Sequence, residues 1–189
     1  MKLVVGLGNP GKDYDNTRHN TGFMFLDYYL ENKYNNINWK SKFNGLYYEN
    51  NVNDEKVIYL KPQSYMNLSG EVVSKFVNFY KIQPSDIIVI CDDLDLFVGN
   101  FKVKDSGSSG GHNGLNNIIQ LLGTSSFKRI RIGISNDKKI DTKDYVLSKF
   151  SNDEKSTLID TFNVLIDVLD DCFRYDFSKV MSLYNSKNR

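Results

Sequence analysis

Alanine is absent from this sequence, and cysteine, histidine, proline and tryptophan are scarce: two, two, three and one among 189 residues. The missing alanine, set against many Asn, Lys, Ile, Tyr and Phe, reads as a base-composition bias of the coding sequence. A surface Asn or Lys therefore carries no argument by residue type alone. Cys91 and Cys172 are far apart and in no metal-ligand spacing, which excludes a disulfide framework and a cysteine metal site and suits a reducing cytoplasm. Cys91 lies inside an apolar run and reads as a buried, inert thiol. No apolar stretch approaches the roughly 20 residues of a membrane-spanning helix. The opening Met-Lys-Leu-Val-Val-Gly reads as a strand start rather than a signal peptide, because its apolar part is short and no cleavage site follows. Charge of one sign is lacking too: 24 basic against 23 acidic residues leave a net +1. No global field draws the chain onto nucleic acid, so such a partner would need a local patch.

What is present suits one ordinary core. The length and the 40% hydrophobic content fit a single domain over residues 1–189, with no internal repeat or linker. Lys2–Leu7 reads as a strand ending at glycines. Thr21–Tyr34 has apolar residues near helical spacing. Gly45–Asn51 and Lys56–Leu60 form a hairpin around Val52-Asn53-Asp54-Glu55. Ser69–Tyr80 is an amphipathic helix, and Ile87–Cys91 is a continuous apolar run, read as a central buried strand. Phe101–Lys104 reads as an edge strand, Ser106–Gly111 as a loop, Asn113–Leu122 as a helix and Arg129–Ile134 as a strand. Asn152–Tyr175 and Asp176–Tyr184 are the last helices. Strands interleaved with helices give an α/β fold, and the hairpin makes the sheet mixed.

Gly6-Leu7-Gly8-Asn9-Pro10-Gly11 matches a dinucleotide-binding string after a first strand. Its context argues otherwise. Pro10 has no N–H to offer a pyrophosphate. Lys12–Asn16 is a poor helix start, and the acids about 20 residues on, Asp27 and Glu31, fall within a helix pattern. Asp92-Asp93-Leu94-Asp95 offers three acids in four residues to Mg²⁺, but strand alternation sends Asp92 and Asp93 to opposite faces. No cofactor or metal is expected.

Five segments in register carry more weight than any one string. They are Gly6–Gly11 with Tyr14 and then Thr17-Arg18-His19-Asn20-Thr21-Gly22; Lys61-Pro62-Gln63-Ser64-Tyr65-Met66-Asn67-Leu68-Ser69-Gly70; Asp92-Asp93-Leu94-Asp95-Leu96; Gly110-Gly111-His112-Asn113-Gly114-Leu115; and Arg129-Ile130-Arg131-Ile132-Gly133-Ile134. In order and spacing, from residue 2 to about residue 150, they resemble the bacterial peptidyl-tRNA hydrolase family. The resemblance implies a three-layer α/β/α sandwich around a mixed, mostly parallel twisted sheet. It also implies hydrolysis of the ester between a peptide and the 3′-terminal ribose of tRNA, by a metal-independent, cytoplasmic, monomeric enzyme.

Ester hydrolysis needs an activated water and a donor for the developing oxyanion. His19 and His112 are the only two histidines, and imidazole is the side-chain type best suited to serve as a base near neutral pH. The resemblance assigns the base to His19 and its orientation to Asp92, at the end of the apolar central strand. It places Asn9 where a blocked peptidyl group is told from a free aminoacyl group. It places Asn67 and Asn113 where the peptide, the 3′ end and the water are held. Amides supply donors and an acceptor without titrating. Tyr14 and Tyr65 match aromatic positions beside the tRNA terminus, Met66 an apolar wall, and His112 a supporting position. Lys104 and Arg131 match residues that grip the 5′ phosphate, within a set that also holds Lys102, Lys128 and Arg129. The tRNA partner is thus met through its acceptor stem and 3′ end.

Two departures stand out: Asp105-Ser106-Gly107-Ser108-Ser109 replaces a denser glycine run, and Leu96-Phe97-Val98-Gly99 replaces a proline-bearing turn. Acids between Asp153 and Asp171 argue against RNA contact there, and Leu158, Phe162, Leu165 and Leu169 are read as a lid. The rival reading, an RNA-binding module without turnover, would predict a damaged catalytic set, and this set is complete.

Overall fold

Every residue of Ile87–Asp93 is buried, as a strand with helices on both faces requires. The computed structural model describes residues 1–186. In chain order the elements are β1 (Lys2–Gly6), α1 (Thr21–Lys33), β2 (Lys40–Lys42), β3 (Gly45–Val52), β4 (Glu55–Pro62), α2 (Ser69–Tyr80), β5 (Ile87–Asp93), β6 (Phe101–Lys104), α3 (Asn113–Leu122), β7 (Lys128–Gly133), α4 (Thr142–Val146), α5 (Asn152–Arg174) and α6 (Phe177–Asn185). Single 3-10 turns occupy Lys12–Tyr14, Arg18–Asn20, Met66–Leu68 and Pro84–Asp86.

The strands form one sheet in the order β2-β3-β4-β1-β5-β7-β6. The central four, β4-β1-β5-β7, run parallel; β3 and β6 flank them antiparallel, and β2 pairs antiparallel with β3. Alternation along each strand divides the core in two. Val4, Ile88, Ile90, Ile130 and Ile132 meet Phe25 and Leu26 of α1 and Phe162 and Leu165 of α5 on one face. Leu3, Val5, Val89 and Cys91 meet Val73 and Phe76 of α2 and Leu115 of α3 on the other. This is the expected α/β/α layering.

Differences from the sequence reading have local causes. The hairpin turn is only Asn53-Asp54, both left-handed at φ 50° and 62°, so Val52 and Glu55 pair within the ladder; Asn and Asp tolerate that conformation. The short edge strand Lys-Ser-Lys lacks an apolar alternation, and α4 is too short to show a helical period. Leu158, Phe162, Leu165 and Leu169 are not a lid: each is buried to 1% exposure or less and packs in the core that α1 covers. The overhanging segment is instead residues 136–147, of which Asn136, Asp141, Lys143 and Val146 line the cleft at the strands' carboxyl ends.

The chain leaves β1 towards β4 on one side, and α2 returns it to β5 on the other. Crevices at the carboxyl ends of such strands are where α/β sheets place ligands. The start of α1 is pressed into that crevice. Leu7 N–H donates to Ile90 O at 3.0 Å, and Phe23 N–H donates to Leu7 O at 3.1 Å. This leaves no room for a side chain on Gly22, whose Cβ would overlap the Ile90 carbonyl oxygen and lie 2.5 Å from Leu7 N. A Cβ on Gly6 would lie 2.6 Å from Gly22 O. These glycines of the two Gly-rich strings serve backbone packing rather than a phosphate cradle. Gly22→Ala should therefore destabilise the chain by about 1–3 kcal/mol or more through overpacking against backbone. Urea denaturation measures this, and an unchanged midpoint would show that the contact yields freely.

Candidate active site

The carboxyl ends of β1, β4, β5 and β7 and the first turn of α3 surround a cleft of about 640 Å³. Its walls include Asn9, His19, Tyr65, Met66, Asn67, Asp92, His112, Asn113 and Arg131. The sheet order thus brings together nine of the eleven expected site residues; Tyr14 and Lys104 lie outside this wall.

His19 sits in the 3-10 turn Arg18–Asn20 that precedes α1. With Gly22 locked against Ile90, the turn faces the end of β5. His19 Nδ1 lies 3.0 and 2.9 Å from the two Asp92 carboxylate oxygens. Both side chains are buried, to 10% and 2% exposure. A carboxylate accepts, so Nδ1 carries the proton and Nε2 carries the lone pair. Burial by itself would lower the His19 pKa. The charge of Asp92 and its hydrogen bond outweigh that, and the net value lies above 6.5. For Asp92, burial favours the neutral acid, but His19 and His112 together hold its carboxyl far below the ordinary carboxylate range.

Asn9 is oriented by a closed set of bonds. Its N–H donates to Asn20 Oδ1 at 2.8 Å, and Asn20 Nδ2 donates back to Asn9 O at 2.9 Å. Met66 N–H donates to Asn9 Oδ1 at 2.7 Å. With Oδ1 committed, Asn9 offers the cleft its Nδ2 donors. Asn67, in the 3-10 turn after β4, and Asn113, first in α3, are exposed on the cleft wall. Buried Met66 forms part of its apolar side.

His112 differs from a substrate-binding side chain. It caps α3, with Nδ1 accepting from the N–H groups of Gly114 and Leu115 at 3.1 and 3.3 Å. Its Nε2 donates to Asp92 Oδ1 at 2.8 Å. His19, Asp92 and His112 also place possible metal-ligand atoms within 4.8 Å of one another. Yet both ring nitrogens that face Asp92 carry protons, so a cation there would have to displace both hydrogen bonds.

The expected basic patch divides. Arg129 and Arg131 pair with Lys104 and Lys102 across β6 and β7, so these four share a face. Lys128 belongs to the opposite face, its ammonium 5.3 Å from the Phe177 ring centre. Arg129 is fully buried and donates to Ser108 O and Ser125 O at 2.7 and 2.9 Å. It anchors the Ser/Gly loop. Arg131 forms an ion pair with Asp93 at 3.0 Å and reaches the cleft. Asp93 thus turns away from Asp92, as strand alternation requires. Lys104 is half-buried on β6. Tyr65 is 58% exposed and meets Tyr14 edge-on, ring centres 6.2 Å apart, so Tyr14 buttresses the cleft's aromatic rim.

Comparison with known proteins agrees with this geometry. The sequence profile of the peptidyl-tRNA hydrolase family matches residues 3–189. The chain belongs to the peptidyl-tRNA hydrolase family. It is 43% identical over 186 residues to the peptidyl-tRNA hydrolase of Lactobacillus acidophilus, covering 98% of this chain and all of that one. It is 46% identical over 186 residues to that of Clostridium botulinum, covering 98% and 96%. The crystal structure of the Acinetobacter baumannii peptidyl-tRNA hydrolase superposes with a TM-score of 0.89 at 33% identity, covering 98% of this chain and 94% of that one. A peptidyl-tRNA hydrolase crystallised with n-propanol gives 0.90 at 33% identity with the same coverage.

One residue that positions the site in this peptidyl-tRNA hydrolase is assigned no role by its sequence context. Arg18, beside His19, makes paired bonds to Glu154 Oε1 and Oε2 at 2.8 and 2.9 Å. It also donates to Ser148 Oγ and Ile134 O and lies over the Tyr145 and Phe150 rings at 4.6 and 4.9 Å. The turn bearing His19 is thereby riveted to both ends of the overhanging segment. Glu154 is fixed in turn by a capping box with Ser151 at the start of α5. The Ser-x-x-Glu string marks a helix start, but no local signal joins it to a residue 136 positions away.

Burial would raise the Glu154 carboxyl, but the Arg18 bonds and then Ser151 prevail, so it lies below 4.5. A depressed carboxyl contributes stability in full above its unfolded value and loses it as pH falls through the folded one. Glu154→Gln should cost about 1 kcal/mol at neutral pH, with the difference from the unaltered chain fading below about pH 4. Urea midpoints across that range test this; a gap constant with pH would remove the charge from the account.

Proposed function

We propose that this cleft hydrolyses the ester joining a peptide to the 3′-terminal ribose of tRNA, with His19 as the base that activates water. Hydrolysis of peptidyl-tRNA is the activity of the family to which the chain belongs. The observation that carries the assignment is the pairing of His19 Nδ1 with the buried Asp92 carboxylate, which leaves Nε2 as the acceptor on the cleft side.

The chemistry follows from those positions. Nε2 takes a proton from water as its oxygen bonds to the ester carbonyl carbon. The imidazolium that forms is stabilised by Asp92, as in His–Asp pairs of hydrolases, with water in place of a serine. Amide donors of Asn9, Asn67 and Asn113 meet the carbonyl oxygen as it gains charge, and fixed donors in a partly dry cleft suit that task. The ester C–O bond then breaks, and Nε2 returns its proton to the departing ribose oxygen. Asn9 discriminates by the amide it presents: a peptide carbonyl of a blocked substrate accepts from Nδ2, whereas the ammonium of a free aminoacyl group is repelled by such a donor. An RNA-binding module without turnover would not need a carboxylate buried beneath an imidazole.

For the tRNA itself, Arg131 and Lys104 take the 5′ phosphate, and Tyr65, propped by Tyr14, stacks on the terminal base, a contact worth roughly 1–3 kcal/mol. Phosphate contacts set the register without reading bases. The acceptor stem and 3′ end are the parts engaged. One chain carries every residue invoked, so a monomer suffices, and the substrate places its work in the cytoplasm.

Two measurements test this. His19→Ala should lower kcat/KM for N-acetylated aminoacyl-tRNA by on the order of 10³-fold or more, while leaving the far-ultraviolet circular dichroism unchanged. The active form is the neutral imidazole, so kcat/KM should rise with pH through a value above 6.5. Asp92→Asn removes both influences that raise that value and should move the limb to lower pH; a limb shifting upward would refute the pairing. Separately, Lys104→Gln and Arg131→Gln should raise KM with kcat little changed. Each should flatten the plot of log kcat/KM against log salt by about one. Slopes equal to that of the unaltered enzyme would place the phosphate elsewhere.

A further inference from the structure

We propose that His112 is a positioning residue that ties Asp92 to the first turn of α3 and tunes the basicity of His19 through the carboxylate the two imidazoles share. The inference rests on His19 acting as the base.

Both ring nitrogens of His112 are committed. A backbone N–H can only donate, so Nδ1, which meets two of them, must hold a lone pair. Nε2 must then carry the proton, and it meets Asp92 Oδ1 at 2.8 Å. The side chain is 7% exposed. No nitrogen is left for a substrate, although the ring lines the cleft. The His112 and His19 rings sit 4.9 Å apart on either side of one carboxylate. His112 reaches it from the α3 face of the sheet, and His19 reaches it from the α1 face. Oδ1 accepts from both rings, whereas Oδ2 accepts from His19 alone.

Two consequences follow from elementary electrostatics. The second donor fixes the carboxylate plane, so the His19 ring cannot rotate with Asp92. It also withdraws electron density from the carboxylate, which weakens its hold on the His19 imidazolium. The first favours catalysis through geometry, and the second keeps His19 from becoming too strong a base. The cap serves as the anchor, because α3 is fixed in the core by Leu115 and Ile118. The other ionisable groups facing this cleft are Tyr65, the paired Asp93 and Arg131, Asp95, and Asp141 and Lys143 of the overhanging segment. None of these is hydrogen-bonded to Asp92, whose carboxylate is taken up by the two imidazoles.

His112→Asn separates the two duties. Asparagine is among the best N-cap residues, so α3 keeps its cap, but the side chain is too short to hold both the cap and Asp92. The expected result is kcat lower on the order of tenfold, the scale of one charge-assisted hydrogen bond, with KM within about twofold. The ascending limb of the pH–rate profile, set by His19, should move to higher pH, opposite to its movement in Asp92→Asn. His112→Ala should add a loss of thermal stability that His112→Asn escapes. In the unaltered enzyme, long-range ¹H–¹⁵N spectra should show His112 as the Nε2–H tautomer and neutral His19 as the Nδ1–H tautomer.

A raised KM with unchanged kcat and an unmoved limb would make His112 a substrate contact and overturn the proposal. So would a His112 ring protonated at Nδ1 in the spectra. An active His19→Ala enzyme would instead overturn the assignment of the base. The tautomer of His112 can be read whether or not His19 is that base, so the two failures are distinguishable.

Discussion

A single buried carboxylate organises this enzyme. Asp92 is charged and almost without solvent, a state that costs several kcal/mol unless donors replace the lost water. Two imidazoles do so, one from each side of the sheet. His19 belongs to the layer of α1 and His112 to that of α3, so the carboxylate holds a cross-layer joint as well as the proposed catalytic pair. Its place at the end of β5, hydrogen-bonded on one flank to β1 and on the other to β7, makes that joint central.

The joint works only because backbones come close beside it. Gly6 and Gly22 let the start of α1 lie directly on Leu7 and Ile90, and that contact sets the height of the His19 turn. Arg18 then fastens the same turn to the overhanging segment and to α5 through Glu154 and Ser148. Three neighbours in sequence, Arg18, His19 and Asn20, thus carry three different tasks. They rivet the overhang, supply the proposed base and hold the Asn9 backbone. A 3-10 turn sends successive side chains about 120° apart, which suits three destinations.

The cationic residues show how far a list of charges can mislead. Lys128 and Arg129 are adjacent, yet the pleat sends one beneath α6 and the other into the Ser/Gly loop. Arg129 spends its charge on two carbonyl oxygens and stabilises the loop that leads to Gly110 and His112. Arg131, two residues on, is the one that reaches the cleft, and Asp93 restrains it there. Buried thiols complete the picture of a site without sulfur chemistry: burial pushes the Cys172 thiol up to about 12, and Cys91 faces the α2 side of the core.

Much of this was legible before any coordinates. Hydrophobic periodicity marked α2 and α3 at their observed limits and the other long helices and strands within a few residues, because such periods depend only on which face of an element is buried. The five strings in register pointed to the family and to most of the cleft residues, but not to those that residues 136–147 contribute. Tertiary structure decided what local pattern cannot express. His19 and Asp92 are 73 residues apart and Arg18 and Glu154 136 apart; their meeting depends on the order of strands in the sheet. Whether an arginine is free or spent, and which nitrogen of His112 bears a proton, depends on partners that only folding supplies. The sequence by itself determined the elements and the chemistry available. The packing of one layer on another decided which of those groups share a carboxylate.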